Sequence, residues 1–230
     1  MKFRRFIKGF SILNIALMLV GVWLLVFSLG DVLSLVKPAH DYDYVMQNGL
    51  KEGDHIKGEI YFSLGCFATE LTTREYSDNS TSSSISNYYY IIPTGGSAMA
   101  VAAIEIHKNQ LEIMKALTDE TYNYLTDVTS QITGGLEFNG VVRDMAEVGL
   151  LEEYFTKSLK SMDYTESEID EMRAENDGKL LILMPRNETA CYVMFGLSFV
   201  MILLSIILYV RRYKKEKAWE EKREEEWTQV

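Results

Sequence analysis

A chain of 230 residues with a net charge of −10, 47% hydrophobic residues and a mean hydropathy near zero has the bulk composition of an ordinary soluble protein. The acid excess weighs against nucleic acid as a partner, because phosphate binding is built from clustered Lys and Arg. Three histidines and two cysteines leave few ligands for a zinc module, and none stands at the short spacings such a module needs.

That average hides two unlike materials. Phe10–Gly30 is 21 residues without a charge, and Thr189–Val210 is 22 more. At about 1.5 Å per helical residue, each is long enough for a hydrocarbon core of roughly 30 Å. Both are expected to be transmembrane helices. Lys2, Arg4, Arg5 and Lys8 precede the first, and Arg211, Arg212, Lys214, Lys215 and Lys217 follow the second. Basic residues between the two are sparse, so the positive-inside rule places both termini in the cytoplasm of a cell-membrane protein. The expected organisation is a cytoplasmic N-terminus (1–9), a first span (10–30), an extracytoplasmic domain (31–188), a second span (189–210) and a charged cytoplasmic tail (211–230). The first apolar run exceeds the usual signal-peptide core and lacks a small-x-small site after Gly30, so it reads as an uncleaved anchor. Asn14, its one strongly polar residue, is the candidate for an interhelical contact.

The segment 31–188 carries 27 acidic against 12 basic residues, a net charge near −15. Val32–Gly53 reads as a connector. Ile56, Gly58, Ile60, Phe62 and Leu64 then alternate with Lys57, Glu59, Tyr61 and Ser63, the period-two pattern of a half-buried strand. Thr72–Ser86 is rich in Ser, Thr, Asn and Asp and is expected to be an exposed loop. Tyr88–Ile92 resumes as a strand, Pro93–Gly96 turns, and Ala98–Ile106 forms a third strand. The paired glycines lack any phosphate-loop signature. From Lys108 to Ser130 the period becomes 3.6, with Leu111, Met114, Leu117, Thr121, Tyr124 and Val128 along one side and Leu125 beside them. Leu136–Arg143 alternates as a strand, and Met145–Lys160 is a second helix. Thr165 with Glu168 opens a third in capping-box fashion, and Lys179–Met184 is a last strand. The fold class is therefore α+β: two transmembrane helices flanking an extracytoplasmic antiparallel-sheet domain. Its order of five strands and a helix matches an OB-like barrel.

Motifs for chemistry are sparse. His40, Asp41 and Asp43 form the only local metal-type cluster, in the connector, and read as a polar linker. No Ser-centred elbow, Cys-His pair with local support or HExxH is present, so no catalytic, metal or cofactor-binding residue and no cofactor is assigned. Cys66 and Cys191 are not expected to be bridged. Tyr88, Tyr89 and Tyr90 on one strand are the candidate contact surface, set against ordinary sheet packing. Asn79-Ser80-Thr81 and Asn187-Glu188-Thr189 match glycosylation sequons. In the tail, Arg and Lys beside the membrane suit anionic headgroups, and Trp219 and Trp227, eight apart, share a helix face.

The segment Gly49–Phe67, the run Asn87-Tyr88-Tyr89-Tyr90-Ile91-Ile92-Pro93 and the two terminal apolar helices resemble an uncharacterised family of two-pass bacterial membrane proteins, from Gram-positive gut-type lineages. That resemblance covers nearly the whole chain and implies no activity and no functional residue. The paired-helix frame is also similar to that of a mitochondrial membrane ubiquitin ligase, but this chain lacks the Cys/His-rich RING module that such an enzyme needs. The leading expectation is a non-enzymatic membrane-anchored interaction or sensing module. Its partners are the lipid bilayer and another membrane or envelope protein. The alternatives are a membrane-surface enzyme or chaperone-like factor acting on envelope components, and a structural subunit of a membrane complex.

Overall fold

Apolar runs, rather than alternation, mark the strands that decide the architecture. Tyr89–Ile92 and Val101–Ile104 are continuously buried, which requires cover on both sides of the sheet. The computed structural model describes residues 11–75, 81–95 and 100–228. Two compact units appear among the described residues: those within 34–187 form one, and 11–33 with 188–228 form the other.

The first unit is a mixed seven-stranded open sheet. Its strands are β1 (Ala39–His40), β2 (His55–Ile60), β3 (Gly65–Glu75), β4 (Thr81–Pro93), β5 (Val101–His107), β6 (Leu136–Asp144) and β7 (Leu181–Pro185). Their order is β1-β2-β6-β7-β5-β4-β3. β1 with β2 and β5 with β7 are parallel, and the remaining pairs are antiparallel.

Numbering the helices from the N-terminus, α1 is Ile12–Val36, α2 is Tyr42–Asn48, α3 is Leu111–Leu125, α4 is Leu151–Ser161, α5 is Glu166–Glu175 and α6 is Glu188–Thr228. One sheet face is covered by α2 and α3, which bury Tyr42, Val45, Met114 and Leu117 against Ile56, Ile92, Ile104 and Ile106. The other is covered by α4 and α5, which bury Leu151, Phe155, Leu159, Ile169 and Met172 against Tyr89, Ile91, Ala103 and Ile182. The Thr165 hydroxyl accepts from the Glu168 amide while the Glu168 carboxylate accepts from the Thr165 amide, so the expected capping box starts α5.

The OB-like barrel and the wholly antiparallel sheet are corrected. No pairing joins β1 to β3, and β7 inserts between β6 and β5. A small barrel has one interior, whereas this sheet has two apolar faces to bury. The expected loop over Thr72–Ser86 is also corrected: described residues 72–75 and 81–86 continue β3 and β4 as a ribbon. Backbone pairing holds that ribbon, and Thr73 and Ser83 hydroxyls meet at 3.0 Å. The Val32–Gly53 connector contains the end of α1, β1 and α2. The helix of Lys108–Ser130 shortens to a 3₁₀ turn at Lys108–Gln110 followed by α3, and Val128 and Leu125 are exposed. That of Met145–Lys160 likewise divides into a 3₁₀ turn at Met145–Glu147 and then α4. Gly95 is required where it stands: a Cβ there would lie 1.7 Å from the Met46 carbonyl oxygen. Gly96, the last residue of the expected turn, lies outside the described residues.

The second unit contains most of α1 and all of α6, two long apolar helices at the ends of the chain. Asn14, Gly21 and Ser28 recur every seven residues and are buried, as are Ser198 and Ser205. They meet along an antiparallel seam. Ser205 Oγ donates to the Asn14 carbonyl at 2.9 Å, and a Cβ on Gly21 would stand 2.9 Å from Ile202 Cγ1. Trp23, Phe27, Val193 and Leu203 point outward. α6 continues well past Val210, carrying the i,i+4 pairs Arg212–Glu216 and Lys217–Glu221. Phe10 and the basic flank Lys2, Arg4, Arg5 and Lys8 lie outside the described residues.

Candidate functional site

The second sheet face turns polar at one end. Register pairs Glu70 with Asn87, Asn87 with His107, and Tyr89 with both Ala68 and Glu105. Directly opposed residues project to the same side of a sheet. Three adjacent strands thereby bring Glu70, Asn87, Tyr89, Glu105 and His107 onto one face, although the sequence separates them by up to 37 positions.

Asn87 links the group. Its Nδ2 donates to Glu70 Oε2 at 2.7 Å, and its Oδ1 lies 2.9 Å from His107 Nδ1. With the amide so oriented, Nδ1 carries the proton that Oδ1 accepts. Ser86 Oγ donates to the Glu70 carboxylate at 3.3 Å. The Tyr89 hydroxyl also bonds Glu70. Burial, and then the nearby Glu105 and Glu70 carboxylates, raise its pKa well above the ordinary tyrosine value, so it stays a hydrogen-bond donor.

Glu105 differs from the other members in its burial, being only 7% exposed. Burial pushes its carboxyl pKa upward; His107 opposes that shift, Glu70 adds to it, and Arg186 makes the smallest contribution, downward. Burial of an ionised carboxylate is costly, which favours the protonated form of this side chain.

Beside the cluster, a groove of about 470 Å³ is lined by residues of the edge strand β3 and of β4. Its floor and one wall are Phe67, Ala68, Thr69, Glu70 and Tyr89, and its other wall runs from Val148 to Leu151 with Tyr154. Phe67 packs edge-on against Phe155, ring centroids 5.2 Å apart, which anchors the wall to the core. Leu150 and Tyr154 are exposed apolar side chains at the rim. Glu70 and Tyr89 thus belong both to the groove and to the polar cluster. A smaller recess of about 230 Å³ lies among Asn48, Thr94, Glu175 and Lys179. Lys179 there is paired with Glu52.

Of the residues singled out from sequence, Tyr89 alone reaches the groove. Tyr90 projects to the opposite face, where burial pushes its hydroxyl up to about 12, and Tyr88 is half-buried on that same face. Asn14 lies in the helix seam of the second unit. His40 stacks on Tyr44 at 3.9 Å, Asp41 caps α2, and Asp43 accepts from the Tyr61 hydroxyl at 2.5 Å. No group of three or more metal-type side chains occurs among the described residues. Cys66 and Cys191 are not joined in a disulfide. Asn79 and Ser80 of the first sequon and the Trp227 side chain lie outside the described residues, while Asn187 and Trp219 are exposed. The signal that sequence reasoning passed over was Glu105, the one charge in the apolar run Val101–Ile106.

A family model described as "Domain of unknown function (DUF8577)" matches residues 4–211. No curated protein and no solved structure matches the chain.

Proposed function

The chain belongs to DUF8577, a domain family of unknown function, and we propose that it is a membrane-anchored binding or sensing module whose ligand site is the groove beside β3. The observation that carries this reading is the groove itself: a cleft between residues 67–70 of β3 with Tyr89 of β4 on one side and residues 148–151 with Tyr154 on the other. Such clefts receive extended segments or chain-like ligands.

The membrane part rests on the helix pair. Outside a bilayer, helices that bury Ser and Asn while exposing Trp, Phe and Leu are inside-out, and in lipid that arrangement is favoured because small residues permit close packing. The flanking basic residues support a cell membrane, in a bacterium, with residues 1–9 and 211–230 cytoplasmic and the sheet domain outside. The bilayer and a membrane or envelope protein are then its partners. Tyr88 to Tyr90 contribute through Tyr89 alone in this reading, and Asn14 contributes to helix pairing.

Photo-crosslinking in intact membranes tests the proposal. A photoreactive residue at Leu150 or Tyr154 is expected to capture a defined species, and one at Ile113, on an exposed helix outside the groove, is not. Equal capture at all three positions, or none at Leu150 and Tyr154, would remove the groove from consideration.

A second reading, a membrane-surface enzyme, is favoured by one observation: Glu105 and His107 stand two residues apart on one strand face beside the groove. A carboxylate beside an imidazole suits general acid–base chemistry. If that reading holds, His107→Gln abolishes turnover of the captured species without reducing its capture.

A further inference from the structure

His55 opens β2 and is only 4% exposed. Its Nε2 lies 2.9 Å from Asn139 Oδ1 on β6, and an amide oxygen only accepts, so Nε2 carries the ring proton in this orientation. Nδ1 is buried and has no hydrogen-bond partner among the described residues. That arrangement accommodates the neutral ring. Protonation would put a charged N–H at Nδ1, where nothing accepts it. The surrounding charges do not help. Strand alternation puts Lys57 and Glu59 on the face of His55, while His40 of β1 lies on the opposite face beside Ile56. His55 opposes Val141 of β6, so Asn139 and Arg143 flank it diagonally, and Arg186 beyond β7 donates its backbone amide to the Asn139 carbonyl. The charged groups nearest along this register, Lys57 and Arg143, are cations. The acids of the face, Glu59 and Glu137, oppose each other about 13 Å along the strands. Lys37 Nζ donates to the Gly53 carbonyl, and the Asp54 carboxylate accepts from the Lys51 amide.

We propose that His55 is an acid-operated latch for β1, the two-residue strand at the edge of the sheet: protonation of Nδ1 detaches Ala39–His40 from β2. The latch is independent of the groove. β1 is held by the register pairs Ala39 with His55 and His40 with Ile56, whereas β2 pairs with β6 along its whole length. Ala39 is exposed, and β1 is the outermost strand on its side of the sheet. Its departure opens that flank of β2 to water, which can then accept from Nδ1–H. So short an edge strand costs less to release than a charge costs to bury unsatisfied. The movement ends at Tyr42, which is buried and donates its hydroxyl to the Pro93 carbonyl at 2.7 Å. The direction follows from proton linkage. The latched form holds a proton at Nδ1 less tightly than the released form, so latching is complete at higher pH and is lost as pH falls. β1 follows α1 after Lys37 and Pro38, so the latch acts on the connection between the first apolar helix and the sheet.

Hydrogen exchange of the full chain in nanodiscs of zwitterionic lipid, corrected for the intrinsic pH dependence of exchange, tests the latch. Between about pH 7.5 and about pH 5.5, the protection of residues 39–41 is expected to fall by about tenfold or more, while that of Ala103–Ile106 in the sheet centre stays within about twofold. His55→Gln cannot titrate and is expected to hold the protection of 39–41 within about twofold over the same range. His40→Gln, in the latched strand itself, is expected to respond to pH as the parent does. The 15N shifts of the His55 ring report its protonation without any variant, and their midpoint is expected to coincide with the loss of protection. Protection of 39–41 that does not change with pH in the parent overturns the proposal. So does a pH response that persists in His55→Gln or disappears in His40→Gln, or a loss of protection while the His55 ring stays unprotonated. Equal loss over 39–41 and 103–106 overturns it too, because the whole domain would then be unfolding.

Discussion

Glu105 carries a consequence for stability that is separate from any ligand. Its carboxyl pKa is raised in the folded chain by burial, with Glu70 adding to the shift and His107 and Arg186 opposing it. A folded-state value above the unfolded one means that the native state holds the proton more tightly. The stabilisation is fully present below the unfolded value and is lost as pH rises through the folded value. Glu105→Gln keeps the shape and removes the charge. It is therefore expected to leave the denaturant midpoint unchanged near pH 4 and to raise it at pH 7, by on the order of 1 kcal/mol. Urea titrations of parent and variant at the two pH values check this. A variant less stable at pH 7 would mean that the ionised carboxylate has a partner. The residue was readable as unusual from its setting in Val101–Ile106. That it shares a face with Glu70 and His107 was not, because strand register depends on chain segments far apart in sequence.

At the scale of elements, local signals and long-range pairing separate cleanly. The capping box at Thr165 and Glu168 needs only a four-residue span, and it appears as the sequence indicates. Thr165→Ala removes both of its hydroxyl bonds, so the domain is expected to lose about 1 kcal/mol by chemical denaturation; an unchanged midpoint would show that α5 is held by Ile169 and Met172 alone. The amphipathic helix α3 was legible for the same reason, since Met114, Leu117 and Thr121 sit three and four apart. The ribbon of β3 and β4 was not. Ser82, Ser83 and Ser84 bury nothing, so no hydrophobic period announces them, and their strand conformation comes from partners such as Thr72 and Thr73 across the hairpin. The two-residue β1 and the short α2 escaped notice because each is too brief to show a period.

The whole molecule joins a strongly acidic sheet domain to two apolar helices within one chain. If the helices cross a membrane as proposed, a cysteine placed at Ser83, on the exposed ribbon, reacts with an impermeant maleimide added to intact cells. A cysteine at Trp219 reacts only after the membrane is opened. The reverse pattern would place the acidic domain in the cytoplasm and overturn the proposed orientation. The acid excess also predicts nothing about fold: it is spread over exposed positions such as Glu112, Glu137 and Asp163, where solvent screens it.

By itself, the sequence determined the α+β class, the two long apolar helices, the capped start of α5 and a part of the core, such as Ile56, Ile60, Met114 and Leu117. Each of these depends on residue type and on periods of a few residues. The tertiary structure alone decided that the sheet stays open, that β7 lies parallel to β5, and that Glu70, Tyr89, Glu105 and His107 gather beside a groove. Those outcomes follow from which strands pair and in what register. A sheet with two apolar faces is satisfied by helices on both sides and has no use for closure. The pairing that achieves this is a property of the assembled chain, set by contacts between segments that no local pattern connects.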